Sequence, residues 1–263
     1  MNKIVVLIII ISFLTNFACN SKNDNNLPQH FLIISIDALH PDAISKENSP
    51  FIFSLMERGW GIKNGKSIEP PLTLYNHAAM FTGLAPEKSG QKSNSWKKGE
   101  KRIVHETIFN NPFQMGMETS YFYSKPKLGY LVTDKIKRYS LSGLKTIEDA
   151  FVEIKSHQNT FTFLHVSGLD FSGKKDGWLS KPYMKIFKNI DHRLKVLIDY
   201  IIKKKRCIVI ITSDHAGHGK KHGTDHPRDY MIPFIYYSDY KNLLKFNNYR
   251  STDLKGIVEK LMK

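Results

Sequence analysis

Short apolar runs that alternate with longer amphipathic segments narrow the fold of this chain more than any other feature. Phe31–Ile36 and Cys207–Thr212 are almost continuously apolar, and Thr160–Val166 interleaves Thr with Phe, Leu and Val. Runs this short and this rich in β-branched and aromatic residues read as strands buried on both faces. Thr119–Tyr123 and Ile232–Tyr236 read as two more. Between them lie helical patterns. The longest is Tyr183–Lys203, where Ile186, Ile190, Leu194, Leu197 and Ile201 recur at helical spacing. Pro50–Arg58 reads as a helix capped by Ser49 and closed by Gly59, Ile147–Ser156 as one opened by Thr146, and Asp253–Met262 as a terminal helix. Asn76–Phe81 opens a further helix behind a Pro-Pro turn, and Ser167–Gly177 reads as a Gly-rich loop. Strands separated by helices pair in parallel, with the helices covering both faces. The expected fold is therefore α/β, a three-layer α/β/α sandwich around a mostly parallel central sheet.

The N-terminus follows a different logic. Lys3 precedes the apolar run Ile4–Phe17, which is too short to span a bilayer comfortably, and Ala18-Cys19 leads into the polar run Asn20–Asn26. That pattern resembles a bacterial lipoprotein signal. Residues 1–18 are expected to be a signal peptide, with Cys19 lipidated, a polar linker over 19–29 and a single domain over 30–263. The protein is then exported, and held as a lipoprotein on the periplasmic or cell-surface side of a membrane. The only other cysteine is Cys207, so no disulfide framework is expected. The formal charge of +15 favours acidic partners such as phosphate esters, nucleotides or anionic lipid surfaces. No zinc-finger spacing or aromatic RNA-binding signature accompanies it, so no stable nucleic-acid complex is expected. The polar segment Lys88–Arg102 reads as a mobile insert.

The chemistry sits at strand ends, where ligands bind in open α/β sheets. Asp37 ends the first strand, Asp170 follows the Thr160–Val166 strand, and Asp214-His215 end the Cys207–Thr212 strand. Taken singly, each aspartate is more simply a cap or loop residue. Together, three carboxylates and an imidazole on one sheet edge suit a divalent metal, zinc above all. The stretch Thr212–His226 adds His218, His222 and His226, with glycines that let backbone approach a small bound object.

Several separated motifs resemble the alkaline phosphatase superfamily, especially its nucleotide pyrophosphatase/phosphodiesterase branch. Ile34-Ser-Ile-Asp-Ala38 is similar to its first metal motif, and Pro70-Pro-Leu-Thr-Leu-Tyr-Asn-His77 with Phe81–Gly90 to its nucleophile segment. Leu169-Asp-Phe-Ser-Gly173, Thr212–Gly217 and Lys221-His-Gly223 are similar to the remaining metal motifs. The resemblance implies that Asp37, Asp214 and His215 hold one Zn2+ with the Thr73 oxygen, and that Asp170 and His222 belong to a second site. It implies that Thr73 attacks phosphorus to give a phospho-threonine, and that Asn76 donates to a non-bridging phosphoryl oxygen. His77 fits as structural support and His165 as a core histidine.

Where the family has a histidine ligand after Asp170-Phe-Ser-Gly, this chain has Lys174. An ammonium offers only donors and cannot ligate zinc. One zinc site is therefore expected, with the second left open. The Lys174 ammonium would supply charge there, or His165, His218 or His226 would complete the site, or catalysis would be lost. The expected activity is zinc-dependent hydrolysis of a phosphodiester or nucleotide pyrophosphate. A phosphomonoesterase or sulfatase, or a non-catalytic anion-binding protein, are the alternatives. Tyr75, Trp96, Tyr123 and Trp178 are the aromatic candidates for the second ester group.

Overall fold

The computed structural model describes residues 27–241 and 245–263. The expected signal segment, Cys19 and most of the polar linker lie outside the described residues. Seven strands form one sheet: β1 (His30–Ile36), β2 (Trp60–Lys66), β3 (Glu118–Tyr123), β4 (Arg138–Leu141), β5 (Thr160–Val166), β6 (Cys207–Thr212) and β7 (Met231–Ser238), in the order β2-β7-β6-β1-β5-β3-β4. Neighbours from β6 through β4 pair in parallel, while β7 runs antiparallel to both β6 and β2. The α-helices are α1 (Pro50–Arg58), α2 (Thr73–Thr82), α3 (Pro86–Ser89), α4 (Asn110–Gln114), α5 (Thr146–Ser156), α6 (Leu169–Asp176), α7 (Lys181–Lys204), α8 (Pro227–Tyr230) and α9 (Asp253–Leu261).

Side-chain alternation along β1 sorts the core into two layers. Leu32, Ile34 and Ile36 pack with Leu55 of α1, Ile154 of α5 and Leu194 of α7. Phe31 and Ile33 point the other way, into a layer with Ala78 and Phe81 of α2 and Val258 of α9. Every residue of β1, β5 and β6 is buried, as a central strand with both faces covered requires. The sandwich inferred from the sequence is the observed one.

Four elements differ from the sequence reading. The Gly-rich Ser167–Gly177 stretch is not a loop but holds α6, which ends at Gly177 with φ of 100°. Gly173 is tolerated within it because the Trp178 ring occupies the space where a Cβ would sit, 2.7 Å away. The helix expected from Asn76 starts three residues earlier, at Thr73. Strands β2 and β4 are edge strands of mixed polarity, without the apolar run that marks a central strand. Among the described residues, no helix is long and apolar enough to cross a membrane.

Candidate active site

The C-terminal ends of β1, β5 and β6 place the predicted aspartates together. The Asp37 N–H continues the parallel ladder to Val166 O at 2.9 Å, so its carboxylate emerges at the strand terminus. The next residue, Ala38, has φ of 62°, a left-handed conformation that a residue with a Cβ adopts at a cost. That turn is fixed from several sides. Ala38 N–H donates to Asp214 Oδ1 at 3.1 Å, and Ala38 O accepts from the Tyr183 hydroxyl at 2.8 Å and the Trp178 indole at 3.3 Å. Ser213 Oγ accepts from Leu39 N–H and donates to His215 O, locking the turn after β6 to the turn after β1.

The result is a set of acceptors facing one another. His215 Nδ1 lies 2.9 Å from Ala216 O; a carbonyl only accepts, so Nδ1 carries the proton and Nε2 presents a lone pair. That Nε2 is 3.6 Å from Asp37 Oδ1 and 3.5 Å from Asp214 Oδ2. All three residues are fully buried, and none of these three atoms has a hydrogen-bond partner. Such separations are too long for hydrogen bonds. They match ligands on one small cation, which stand roughly 3.3 Å apart when bonds are about 2.0–2.1 Å long in a tetrahedral site. Buried carboxylates facing each other without a positive centre would be strongly unfavourable. The donor set therefore fits a divalent metal, and it is the set read from the sequence.

Thr73 opens α2 beside this cluster. It is buried, and its carbonyl accepts from His77 Nδ1 at 2.7 Å. Its hydroxyl meets a residue that the sequence reading missed. Lys125, just past β3, places Nζ 3.2 Å from Thr73 Oγ1, 2.6 Å from Asp37 Oδ2 and 2.8 Å from Asp170 Oδ2. Burial opposes the Lys125 charge, but Asp37 and then Asp170 overrule it and raise its pKa above the ordinary lysine value. For Asp37, burial works upward, yet the Lys125 ammonium holds the carboxyl well below the usual range. Ser-Lys at the end of a mostly buried aromatic strand was the available signal for Lys125, and a weak one.

The second predicted site is thinner. Asp170 Oδ1 lies 3.4 Å from His222 Nε2 and 3.0 Å from Lys174 Nζ, one helical turn on in α6. The Lys174 side chain is 51% exposed, against 22% for Lys125. Burial and then His215 depress the His222 pKa to about 4, so its ring is neutral at physiological pH. His215 and His222 stack with ring centroids 4.3 Å apart. Asp170, His215 and His222 thus form a second cluster of metal-ligand type that shares His215 with the first.

Asn76 does not occupy the place the resemblance implied. Its carbonyl accepts from Ile68 N–H and the Ser251 hydroxyl, and its amide donates to Pro70 O and Leu72 O, all within 3.2 Å. It clamps the loop ahead of α2 and keeps no donor for a phosphoryl oxygen. Another asparagine, Asn94, reaches the start of α2. Its carbonyl oxygen accepts from Leu74 N–H at 2.9 Å and Lys127 Nζ at 3.0 Å, leaving its amide group as a donor beside the N-terminus of α2. Asn94 belongs to the polar insert expected to be mobile. In that insert Trp96 packs against Gly129 and Arg102 lies over the Trp96 ring.

The remaining candidates separate. His165 Nε2 faces Asp37 Oδ2 at 3.7 Å while its Nδ1 accepts from Ser124 N–H at 3.4 Å and pairs with the Ser124 hydroxyl at 2.6 Å, so this strand histidine borders the site. His77 and His165 are fully buried, and burial lowers both their pKa values. His218 and His226 stack on each other next to Asp229, in a cluster of their own. Trp178 is no substrate platform. It is wedged between Gly173 and Gly217, where a Cβ on Gly217 would lie 2.4 Å from its ring. Tyr123 is likewise buried. A cavity of about 630 Å³ opens beside Asp37, Lys125 and Asp170 and runs past Phe171, Leu144 and Ile186.

Two family models match this chain. The type I phosphodiesterase/nucleotide pyrophosphatase family matches residues 31–112, and the metalloenzyme superfamily matches residues 130–262, half of the chain. The chain belongs to the metalloenzyme superfamily. Over residues 31–112 it is similar to the type I phosphodiesterase/nucleotide pyrophosphatase family, in line with the motifs read from the sequence. Among curated relatives, GPI ethanolamine phosphate transferase 1 of Gibberella zeae is 25% identical over 224 residues, covering 74% of this chain and 22% of its own length. The chain thus spans under a quarter of that relative. Among solved structures, murine ectonucleotide pyrophosphatase/phosphodiesterase 5, an inactive form in complex with AMP, superposes with a TM-score of 0.68 at 15% identity, over 89% of this chain and 95% of its own. A 2-O GAG sulfatase gives the same score and identity over 89% of this chain and 70% of its own. These likenesses establish the shared fold of the metalloenzyme superfamily member described here.

Proposed function

We propose that the protein is a zinc-dependent phosphoester hydrolase acting outside the cytoplasm on a phosphodiester or nucleotide pyrophosphate, with Thr73 as nucleophile. One observation carries this reading: Asp37 Oδ1, Asp214 Oδ2 and His215 Nε2 face each other fully buried and without hydrogen-bond partners, next to a threonine at a helix N-terminus. Zinc held by those three residues and Thr73 would supply Lewis acidity, lowering the pKa of a hydroxyl that is otherwise a poor nucleophile.

This chain's own residues do the rest. Lys125 Nζ lies within hydrogen-bond distance of Thr73 Oγ1 and favours its ionised form. Thr73 Oγ1 attacks phosphorus, the bond to the leaving alcohol breaks, and the proton lost by Thr73 is balanced by the one the alcohol gains. Water then cleaves the phospho-threonine and restores the hydroxyl. The Asn94 amide and the N-terminus of α2 stabilise charge on the non-bridging oxygens. AMP bound to the murine structural neighbour supports a nucleotide-like substrate.

A second reading, a phosphomonoesterase or sulfatase, is favoured by the three lysines around the centre, Lys125, Lys127 and Lys174, which suit a dianion. The test is hydrolysis of bis-p-nitrophenyl phosphate, p-nitrophenyl phosphate and p-nitrophenyl sulfate by the purified protein with and without Zn2+. Preference for the first supports the leading reading, and preference for either of the others selects the second. No zinc-dependent turnover of any of them by a folded protein would leave anion binding as the better description.

A further inference from the structure

Asp37 turns its two oxygens in two different directions. Oδ1 stands in the acceptor set with Asp214 and His215, while Oδ2 lies against Lys125 Nζ. The same ammonium reaches across to Asp170 Oδ2, and Lys174 holds Asp170 from the other side. The two potential metal positions therefore carry opposite charge. Asp37 and Asp214 bring two negative charges around the first, offset only in part by the one Lys125 ammonium that Asp37 shares with Asp170. Around the second, one carboxylate, Asp170, is matched by two ammonium groups within 3.1 Å. A divalent cation is attracted to the first and repelled from the second, and burial strengthens both effects. Ligand supply points the same way. Both clusters need His215, whose single bare Nε2 can serve one ion. With His215 committed to Asp37 and Asp214, the second position keeps only Asp170 and His222, fewer than the three protein ligands a zinc site normally has.

We infer that the Lys125 ammonium takes the place of a second metal ion, so that this centre binds a single divalent cation and uses Lys125 as its other catalytic charge. This rests on the function proposed above. Lys125 rather than Lys174 fills the role because its Nζ alone bridges Asp37, Asp170 and the Thr73 hydroxyl, and because it is the better buried of the two. Lys174 is a positioning residue for Asp170. Replacing Lys174 by the family's histidine is then not enough to restore a two-metal centre, since Lys125 still occupies it.

Zinc per chain, measured by elemental analysis and by calorimetric titration on purified protein in which His218 and His226 are both changed to Ala so that the separate cluster at Asp229 is not counted, tests this without any assay of turnover. In that background one ion is expected in the otherwise wild type, one in K174H, one in K125R/K174H and two in K125Q/K174H, with thermal melts confirming that each variant is folded. Orthovanadate is expected to bind K125Q about 10²-fold more weakly while the first zinc affinity is kept. Two ions in the wild type or in K174H would overturn the inference, as would a single ion in the folded K125Q/K174H protein or unchanged vanadate affinity. No zinc in any of the four proteins would remove the metal site itself, and the functional reading with it. Two in the wild type would leave that reading standing.

Discussion

Lys125 Nζ and Thr73 Oγ1 lie 3.2 Å apart across 52 residues of sequence, joining the end of β3 to the first turn of α2. This contact places a permanent positive charge on the hydroxyl that is to become a nucleophile. Removing the hydroxyl should then be far more damaging than reshaping it. Thr73→Ala is expected to lower kcat/KM for bis-p-nitrophenyl phosphate by on the order of 10³-fold or more, and Thr73→Ser to retain measurable activity. Acid quenching followed by mass spectrometry should find the phosphoryl adduct on the wild-type peptide carrying Thr73 and none in Thr73→Ala.

Asn94 and Asn76 should part company when replaced. Asn94→Ala removes the amide proposed to donate to the phosphoryl group and is expected to lower kcat by roughly 10²-fold, at a stability cost of about 1 kcal/mol for the lost bond to Leu74 N–H. Asn76→Ala strands three part-buried backbone groups ahead of α2 and the buried Ser251 hydroxyl, and is expected to cost about 2–4 kcal/mol of stability. Parallel kinetics and thermal denaturation separate the two. Equal kinetic losses without a stability difference would contradict the assignment.

The wedge of Trp178 predicts a steric effect. Gly217→Ala puts a methyl group 2.4 Å from the indole ring, next to backbone that carries His215. Overpacking of that kind costs about 1–3 kcal/mol, and chemical denaturation should show it. Metal affinity should fall as well, because Trp178 also holds Ala38 O at 3.3 Å.

Stability should also fall with acid in a window set by buried histidines. His30, at the N-terminal end of β1 away from the site, has its pKa lowered to about 4 by burial and then by Lys204. The unfolded chain takes up the proton near pH 6.5, the folded chain only near 4, so protonation favours unfolding. The stabilisation is complete above pH 6.5 and is lost as pH falls towards 4, by about 3 kcal/mol at most for this one group. Urea unfolding from pH 7 to pH 4 should show the decline, and His30→Gln should make it shallower.

The architecture was legible because β1 and β6 are almost continuously apolar and β5 interleaves Thr with large apolar residues, the composition of a doubly covered strand. The first cation cluster was legible for a related reason: Asp37, Asp214 and His215 directly follow those strands, so strand position alone brings them together. What escaped depends on side-chain reach. Lys125 and Asn94 lie after β3 and in the polar insert, where nothing in local composition separates a lysine or asparagine that enters a site from one that meets solvent. Asn76 misled because it adjoins Thr73 in sequence, but on a helix that spacing turns its amide back towards the preceding loop. Edge strands β2 and β4 lack the burial that writes an apolar pattern.

The central claim is a cation gripped by Asp37, Asp214 and His215 against Thr73. Diffraction from zinc-soaked crystals on either side of the zinc absorption edge tests it most directly. The account predicts one strong anomalous peak about 2 Å from Asp37 Oδ1, Asp214 Oδ2 and His215 Nε2. No peak there, or one only at the separate His218, His226 and Asp229 cluster, would contradict it.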